Sequence, residues 1–174
     1  MLPRNQSLIF IVLVSIASLQ SRSSFSQLQQ PNRFEKERKF NDTDFSLIPL
    51  KTDGLALIRE KQEYKSGKQT WEVFLLDTAL QETEPIEFEI DTDYNLTGYE
   101  QSPGAVYFLF NDRDIRGYMS LVAIDIKTKR IDHFEIKPEL SFQLTQFCKV
   151  GGNFVFGGFV NKESGVFLYN PVNE

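Results

Sequence analysis

Residues 104–125, GAVYFLFNDRDIRGYMSLVAID, hold two apolar runs that are separated by a polar loop and preceded by a glycine. The second run ends at Asp125, and a similar run, WEVFLLD, ends 48 residues earlier at Asp77. Three such units begin with the pattern aromatic-x-Leu, at residues 45–47, 94–96 and 142–144. A period of this length is typical of one supersecondary unit that is used several times. The sequence therefore predicts a repeated β unit.

The residue types of each unit predict strands. AVYFLF and WEVFLLD are apolar on both faces and rich in β-branched and aromatic residues, so we expect them to be buried on both sides. EPIEFEI alternates apolar residues with glutamates, which is typical of a half-exposed strand. Each unit is predicted to have a strand after its glycine, a second buried strand, an alternating strand, and an outer strand such as NLTGYEQ or LTQFCKV. The predicted fold class is all-β.

The predicted units are residues 45–93, 94–141 and 142–174, of which the last is incomplete. Antiparallel four-stranded units with buried inner strands suit a β-propeller, in which each blade packs on the next. We therefore predict a partial β-propeller of about two and a half blades. A small antiparallel β-sandwich or open barrel is the alternative, but it leaves the 48-residue period unexplained.

The hairpin LVAIDIKTKRIDHFEI resembles those of quinoprotein-like and YVTN-type propellers. Its strand ends at Asp125, Thr128 lies in the turn, and Asp77 ends the equivalent strand of the first unit. In those families a glycine follows the threonine, but this chain has Lys129 at that position. The closing tryptophan of the quinoprotein repeat is replaced by Phe134. The resemblance therefore implies the fold, without a cofactor or an activity. We expect the aspartates to accept backbone N–H groups within their turns.

The amino terminus predicts export. Residues 8–17 are apolar except for one serine and are followed by small residues, which is the pattern of a secretory signal peptide. Cleavage after Ser26 is favoured over cleavage after Ala17, so the signal peptide is assigned to residues 1–26. An uncleaved membrane anchor is the alternative. Residues 27–44 are polar and predicted to be a flexible linker, and the protein is expected to be secreted, periplasmic or at the cell surface.

Charge and the incomplete third unit limit the partners. Removal of residues 1–26 leaves 17 basic and 24 acidic side chains, a formal charge of about −7. Nucleic acid is disfavoured because its binding depends on neutralising phosphates. An incomplete last unit would expose a sheet face and edge. We therefore expect a protein partner or missing blades to dock there, and a membrane to be contacted only through an uncleaved signal segment.

No catalytic, cofactor or metal site is predicted. His133 and Cys148 are the only residues of their types and do not supply a ligand set for zinc. Residues 91–95, DTDYN, resemble the start of a calcium loop, but Leu96 occupies the position of its required glycine. The sequence predicts a solvated turn there.

The function predicted from these observations is an exported binding or structural module without catalytic chemistry of its own, which forms part of a larger protein or assembly. One alternative is a fragment of a propeller enzyme whose active site is missing from this chain. Another is carbohydrate or peptide binding by surface loops. The aromatic residues that would make such contacts are Tyr64, Trp71, Tyr99 and Tyr118.

Overall fold

The structure is a computed structural model that describes residues 33–39 and 42–172, with the side chains of residues 62–65 excluded. The predicted signal peptide, residues 1–26, lies outside the described residues, as does the start of the predicted linker. Within the described ranges, no helix has the length and apolar character needed to cross a bilayer.

The chain is all-β, as predicted from its strand patterns. The first sheet contains β1 (Ser46–Pro49), β2 (Leu55–Lys65), β3 (Lys68–Leu76) and β4 (Ile86–Asp91). The second contains β5 (Tyr94–Ser102), β6 (Ala105–Asp112), β7 (Met119–Asp125) and β8 (Ile131–Ile136). The third contains β9 (Phe142–Val150), β10 (Asn153–Val160) and β11 (Glu163–Tyr169). All pairings between these strands are antiparallel.

Each sheet is a meander, because its hydrogen-bonded neighbours are also consecutive in sequence. The first strands of the three sheets begin at residues 46, 94 and 142, and successive starts are 48 residues apart. Burial follows the predicted patterns in the first sheet, where β4 alternates between buried and exposed residues and the last six residues of β3 are all buried. In the third unit the predicted second buried strand is β11, and it has no buried residue, because no described sheet packs on its front face. The described strands form separate sheets and no closed barrel.

The predicted position of the strand NLTGYEQ as the outer strand after EPIEFEI is wrong. This segment is β5, which pairs with β6 and so opens the second sheet. The turn at Pro103 and Gly104, where Gly104 has a φ of 78°, folds β5 back as a hairpin. LTQFCKV lies likewise in β9, which opens the third sheet. The two opening strands contact each other, and a Cβ added at Gly98 would lie 2.9 Å from the ring of Phe147.

Every sheet has two faces, which are named here by the direction of the chain. The front face is on the side of the next sheet, and the rear face is on the side of the preceding sheet. In the first and third sheets, the face without a neighbouring sheet is named by its equivalent position in the second sheet. Between the first and second sheets, Trp71 and Phe88 on the front face meet Phe108 and Phe110 on the rear face. The ring centroids of Trp71 and Phe110 are 5.1 Å apart, and those of Phe88 and Phe108 are 6.3 Å apart.

The second and third sheets repeat this packing with the same polarity. The front face of the second sheet contributes Leu109 and Leu121, and the rear face of the third sheet contributes Phe154 and Phe156. Tyr107 also belongs to that front face, and its ring centroid lies 5.0 Å from that of Phe154. At most 1% of the surface is exposed in each of Leu109, Leu121, Phe154 and Phe156. The core therefore consists of layers between successive sheets.

The aspartates that end the second strands accept backbone N–H groups, as expected from the sequence. Asp125 Oδ1 accepts hydrogen bonds from the backbone N–H groups of Lys127 at 3.0 Å and Thr128 at 2.7 Å. These bonds, led by that of Thr128, lower the pKa of Asp125. Asp77 and Asn170 close equivalent turns in the other two sheets through their own Oδ1 atoms.

Part of the predicted linker lies against the rear face of the first sheet. Phe34 and Phe45 pack on a buried apolar group of that face, which contains Leu57, Phe74 and Leu76. The ring centroid of Phe74 lies 5.7 Å from that of Phe34 and 5.6 Å from that of Phe45. These aromatic contacts hold the described part of the segment on the sheet.

A buried charged cluster lies beside these rings. Arg59, Glu72 and Asp42 are only 5%, 5% and 6% exposed. Arg59 Nε donates a hydrogen bond of 2.8 Å to Glu72 Oε2. Arg59 Nη1 lies 3.2 Å from Asp42 Oδ2, an ion pair that is not aligned as a hydrogen bond. Because one guanidinium serves two buried carboxylates, its removal would leave both without their counter-charge.

We expect Arg59→Ala to lower the free energy of unfolding by about 3 to 5 kcal/mol, because it leaves the buried carboxylates of Glu72 and Asp42 without a cationic partner. The matched control is Arg130→Ala, which removes an exposed arginine paired with Asp132 and should cost about 0 to 1 kcal/mol. Urea titrations followed by circular dichroism measure both values. Equal effects of the two substitutions would contradict the assignment of a buried cluster.

Candidate functional site

The front face of the third sheet has no sheet packed on it among the described residues. Its side chains lie in cross-strand rows, since Cys148, Val155 and Leu168 are opposite one another, and Gly157 is opposite Val166. Val166 is 72% exposed and Leu168 is 67% exposed. The surface named here the open face consists of Cys148, Val150, Val155, Phe159, Val166 and Leu168.

The register shows that the open face corresponds to covered surface in the other sheets. Val73, Leu121 and Val166 each lie four residues before the residue that closes the turn, which is Asp77, Asp125 or Asn170. Val73 and Leu121 are both fully buried by the following sheet, whereas Val166 is largely exposed. Exposed apolar surface that is contiguous is typical of an interaction site.

The edge of the third sheet is open beside this face. β4 pairs with β3 and β8 pairs with β7, but β11 has no described strand on its outer side. A groove of about 400 Å³ lies next to this edge. Its lining residues are mainly apolar: Pro138, Glu139, Leu140, Phe142, Val160, Gly165, Val166 and Phe167. The third sheet thus presents both an apolar face and unpaired backbone groups, which are the two elements of strand addition.

A second cleft, of about 500 Å³, lies at the hairpin tips of the second and third sheets. Arg116 comes from the loop between β6 and β7, and Lys162 comes from the turn between β10 and β11. Neither side chain has a hydrogen bond or ion pair with any described residue. Phe159, which is 42% exposed, also lines the cleft. The remaining lining residues are Ser141, Gln143 and Asn161.

The second cleft, named here the basic cleft, brings together two cationic side chains that have no carboxylate partner among the described residues. The protein carries a formal net charge of −5, and its other cationic groups include several that are paired with carboxylates. Two cationic groups without such partners favour an anion, and guanidinium groups bind carboxylates through paired N–H donors. Amide and hydroxyl groups beside an exposed ring add hydrogen bonding and an apolar contact.

The aromatic residues predicted for ligand contact lie in different surroundings. Trp71 is in β3 and only 8% exposed, packed on Phe110, so it belongs to the core and not to a surface loop. Tyr99 is 43% exposed, but it lies in β5, beside a cleft of about 380 Å³. Tyr118 is half-buried, with Lys137 Nζ 5.9 Å from its ring centroid. The side chain of Tyr64 lies outside the described residues.

No sequence pattern indicates a role for Arg116 or Lys162. Both lie in polar hairpin tips, where basic residues are common, and the two are far apart in sequence. Only the packing of the third sheet on the second brings their loops to one cleft. Phe159 lies in the apolar run NFVFGGF, whose composition is the same for exposed and for buried positions.

The residues weighed for metal chemistry are separated in the structure. His133 lies in β8 with its ring centroid 6.1 Å from that of Phe88. Desolvation lowers the pKa of His133, and the charge of Lys68 adds to the effect. Cys148 is exposed in β9, on the open face. Within residues 33–39 and 42–172, no three His, Cys, Asp or Glu side chains are grouped to hold a metal ion.

Comparisons with known proteins gave partial structural likenesses only. No protein-family model matches the chain, and no curated protein matches it. An ACO/RPE65 chimera has a TM-score of 0.49 and 10% identity, over 74% of this chain and 36% of the chimera. Cobalt-substituted Synechocystis apocarotenoid oxygenase (ACO) has a TM-score of 0.43 and 12% identity, over 69% of this chain and 30% of the oxygenase chain.

A mutant of Synechocystis apocarotenoid oxygenase has a TM-score of 0.46 and 9% identity, over 74% of this chain and 36% of that enzyme. The chain spans about a third of the length of these solved structures. The oxygenases are enzymes, and the match covers a fragment of each.

Two valines at equivalent positions test whether the open face is uncovered. We expect Val73→Ala to lower the free energy of unfolding by about 2 to 3 kcal/mol, because Val73 is fully buried. Val166→Ala should change it by less than about 0.5 kcal/mol, because surface substitutions have small effects. Chemical denaturation of the two variants measures the difference. A large loss for Val166→Ala would show that the face is covered in solution.

Proposed function

We propose that this protein is an exported, propeller-like binding or structural module that has no catalytic chemistry of its own. It docks another protein through the open face and the free edge of β11. The partner contributes an antiparallel sheet whose apolar face resembles the rear faces within this chain. The signal-like pattern of residues 1–26 supports export.

The observation that carries this proposal is the exposure of Val166 and Leu168. At the matching position of the preceding sheet, Leu121 is completely buried by the next sheet. The docking of a further sheet would therefore continue an interface that already occurs twice in the chain. The apolar rows of the open face carry no charged side chain. A sheet with an apolar face could therefore pack on them without burying an unpaired charge.

The free edge supports the same partner. The first and second sheets have four strands each, and the third has three described strands. A strand supplied by the partner would satisfy the outer N–H and C=O groups of β11 and complete a fourth position. Backbone hydrogen bonds of this kind give affinity, while side chains at alternating positions give specificity. Face and edge together thus fit a sheet, and an isolated helix would satisfy only the face.

The only cysteine of the chain provides a probe for this partner. A benzophenone attached to Cys148 on the open face should crosslink the docked protein when the full chain is produced in its native export pathway. We expect one crosslinked partner in the parent chain, identified by mass spectrometry. The yield should fall at least about tenfold in Val166→Lys/Leu168→Lys, because burial of charge opposes docking.

The control for this experiment is Ile115→Lys, which adds a charge at an exposed apolar residue of the loop between β6 and β7. It should leave the crosslinked product unchanged. A product that persists at full yield in Val166→Lys/Leu168→Lys would overturn docking through the open face.

A second candidate function is binding of a carboxylate-bearing oligosaccharide in the basic cleft. The observation that favours it is the pairing of two cationic side chains, Arg116 and Lys162, with the exposed ring of Phe159 in one cleft. The cations would bind the carboxylate, and the ring would cover an apolar sugar face. Gln143 and Asn161 supply hydrogen-bond groups for hydroxyls. The predicted carbohydrate site would then lie at residues other than the four predicted aromatic ones.

Isothermal titration with oligogalacturonate and with neutral oligogalactose tests the basic cleft. We expect binding of the acidic sugar only, with affinity falling as salt is raised, since screening weakens exposed charges. Arg116→Gln and Lys162→Gln should each weaken it by about tenfold. Lys127→Gln removes an equal charge from an exposed turn outside the cleft and should leave the affinity unchanged. Equal binding of the neutral sugar would contradict the proposed role of the two cations.

A further inference from the structure

The described residues 33–39 and 42–45, named here the cap, lie on the rear face of the first sheet. Phe34 contacts Phe74 through an aromatic pair, and Lys36 Nζ lies 4.5 Å above the same ring. Lys36 also pairs with Glu82 at 3.1 Å. With the cap in place, Phe74 has no exposed surface and Leu76 is only 2% exposed.

The carboxyl end of the cap is fixed by polar contacts. Asp42 pairs with the buried Arg59, whose guanidinium carbon lies 4.5 Å from the ring centroid of Phe45. Thr43 exchanges hydrogen bonds with Glu60 of β2: its backbone N–H and its hydroxyl both donate to Glu60 O, and Glu60 N–H donates to Thr43 Oγ1. The cap thus covers both the apolar and the charged part of this rear face.

The two ends of the described stack are opposite in kind. The three sheets pack in chain order, so the outer face at one end is the rear face of the first sheet and the outer face at the other end is the front face of the third sheet. In both interfaces between the described sheets, a front face packs on a rear face, as Leu121 packs on the side of Phe154 and Phe156. The rear face of the first sheet in one copy is therefore of the kind that would pack against the open face of another. The cap occupies that position.

We propose that the cap prevents head-to-tail association between copies of this chain, in which the open face of one copy would pack on the rear face of the first sheet of the next. Association of this kind joins two different surfaces, so it produces closed rings or open filaments. With the cap seated, the open face remains available for the sheet of the partner proposed above. The inference rests on that proposal, because both use the open face.

The charge distribution supports this arrangement. The open face presents apolar residues, and the rear face of the first sheet presents Leu57, Phe74 and Leu76 beside Arg59 and Glu72. Arg59 keeps its hydrogen bond to Glu72 without the cap, since that bond lies within the sheet. An uncapped rear face would thus expose an apolar surface without leaving Arg59 unpaired.

The test weakens the cap in the full chain. Phe34→Glu/Lys36→Glu replaces the ring that contacts Phe74 with a carboxylate and turns the ion pair of Lys36 with Glu82 into a pair of like charges, so residues 33–39 should leave the sheet. Size-exclusion chromatography with light scattering over a range of concentrations measures the mass of each variant. We expect the mean mass to rise at least about twofold over that of the parent chain, increasing with concentration as required by mass action.

Two further variants establish which surfaces meet. Adding Val166→Lys/Leu168→Lys to the weakened cap should restore the mass of the parent chain, because it places charge on the open face. Ile115→Glu should leave the mass of the parent chain unchanged, because it adds an acidic group at an exposed apolar residue of the loop between β6 and β7, which belongs to neither face. In the associated species, the single thiol of Cys148 should react with maleimide more slowly than in the parent chain.

Asp42→Asn provides a second route if Phe34→Glu/Lys36→Glu loses its circular dichroism signal. It weakens the pairing of the cap with Arg59 while keeping the size of the side chain. A folded variant of either kind that keeps the parent mass at all concentrations would overturn the cap proposal. Association that persists with Val166→Lys/Leu168→Lys, or that leaves Cys148 fully reactive, would overturn it as well.

The two proposals fail in distinguishable ways. If a partner is crosslinked through Cys148 but weakened caps stay at the parent mass, the docking face stands and the cap proposal falls. If weakened caps associate through the open face but no partner is crosslinked, the head-to-tail contact stands and the proposed partner falls.

Discussion

The ring of Phe88 lies 6.3 Å from that of Phe108 and 6.0 Å from that of Phe110, in the layer between the first and second sheets. The next layer holds Phe154 and Phe156 against Leu109 and Leu121 in the same way. A meander of four strands cannot bury both of its faces alone. Each sheet is therefore stabilised by its neighbours, and apolar burial between sheets is the dominant favourable term.

Packing with constant polarity leaves two different ends. At one end, the chain covers its own rear face with Phe34 and Phe45, and it pairs Asp42 with a buried arginine. At the other end, Val166 and Leu168 remain exposed. An apolar face and an unpaired strand edge at the same end form the surface most suited to a further sheet. The proposed function follows from this asymmetry.

The basic cleft depends on the same packing. Arg116 and Lys162 belong to different sheets, and their loops meet because the third sheet packs on the second. Phe159 belongs both to the open face and to the lining of the cleft, so the two surfaces adjoin at this ring. The other residues of the cleft come from hairpin tips and the start of β9, and the other residues of the open face lie in β9, β10 and β11.

Local patterns in the sequence determined the strands and their turns. The alternation around Phe88 predicted the half-exposed β4, and Asp125 was expected to accept the backbone N–H groups that it does accept. These features depend on residues a few positions apart, so side-chain period and turn chemistry are sufficient to predict them. Tertiary structure decided the burial of Trp71 against the second sheet and the covering of Phe74 by Phe34. Which sheet faces meet depends on contacts between distant segments, because the period and composition of a strand are the same whether its face is later covered or left open.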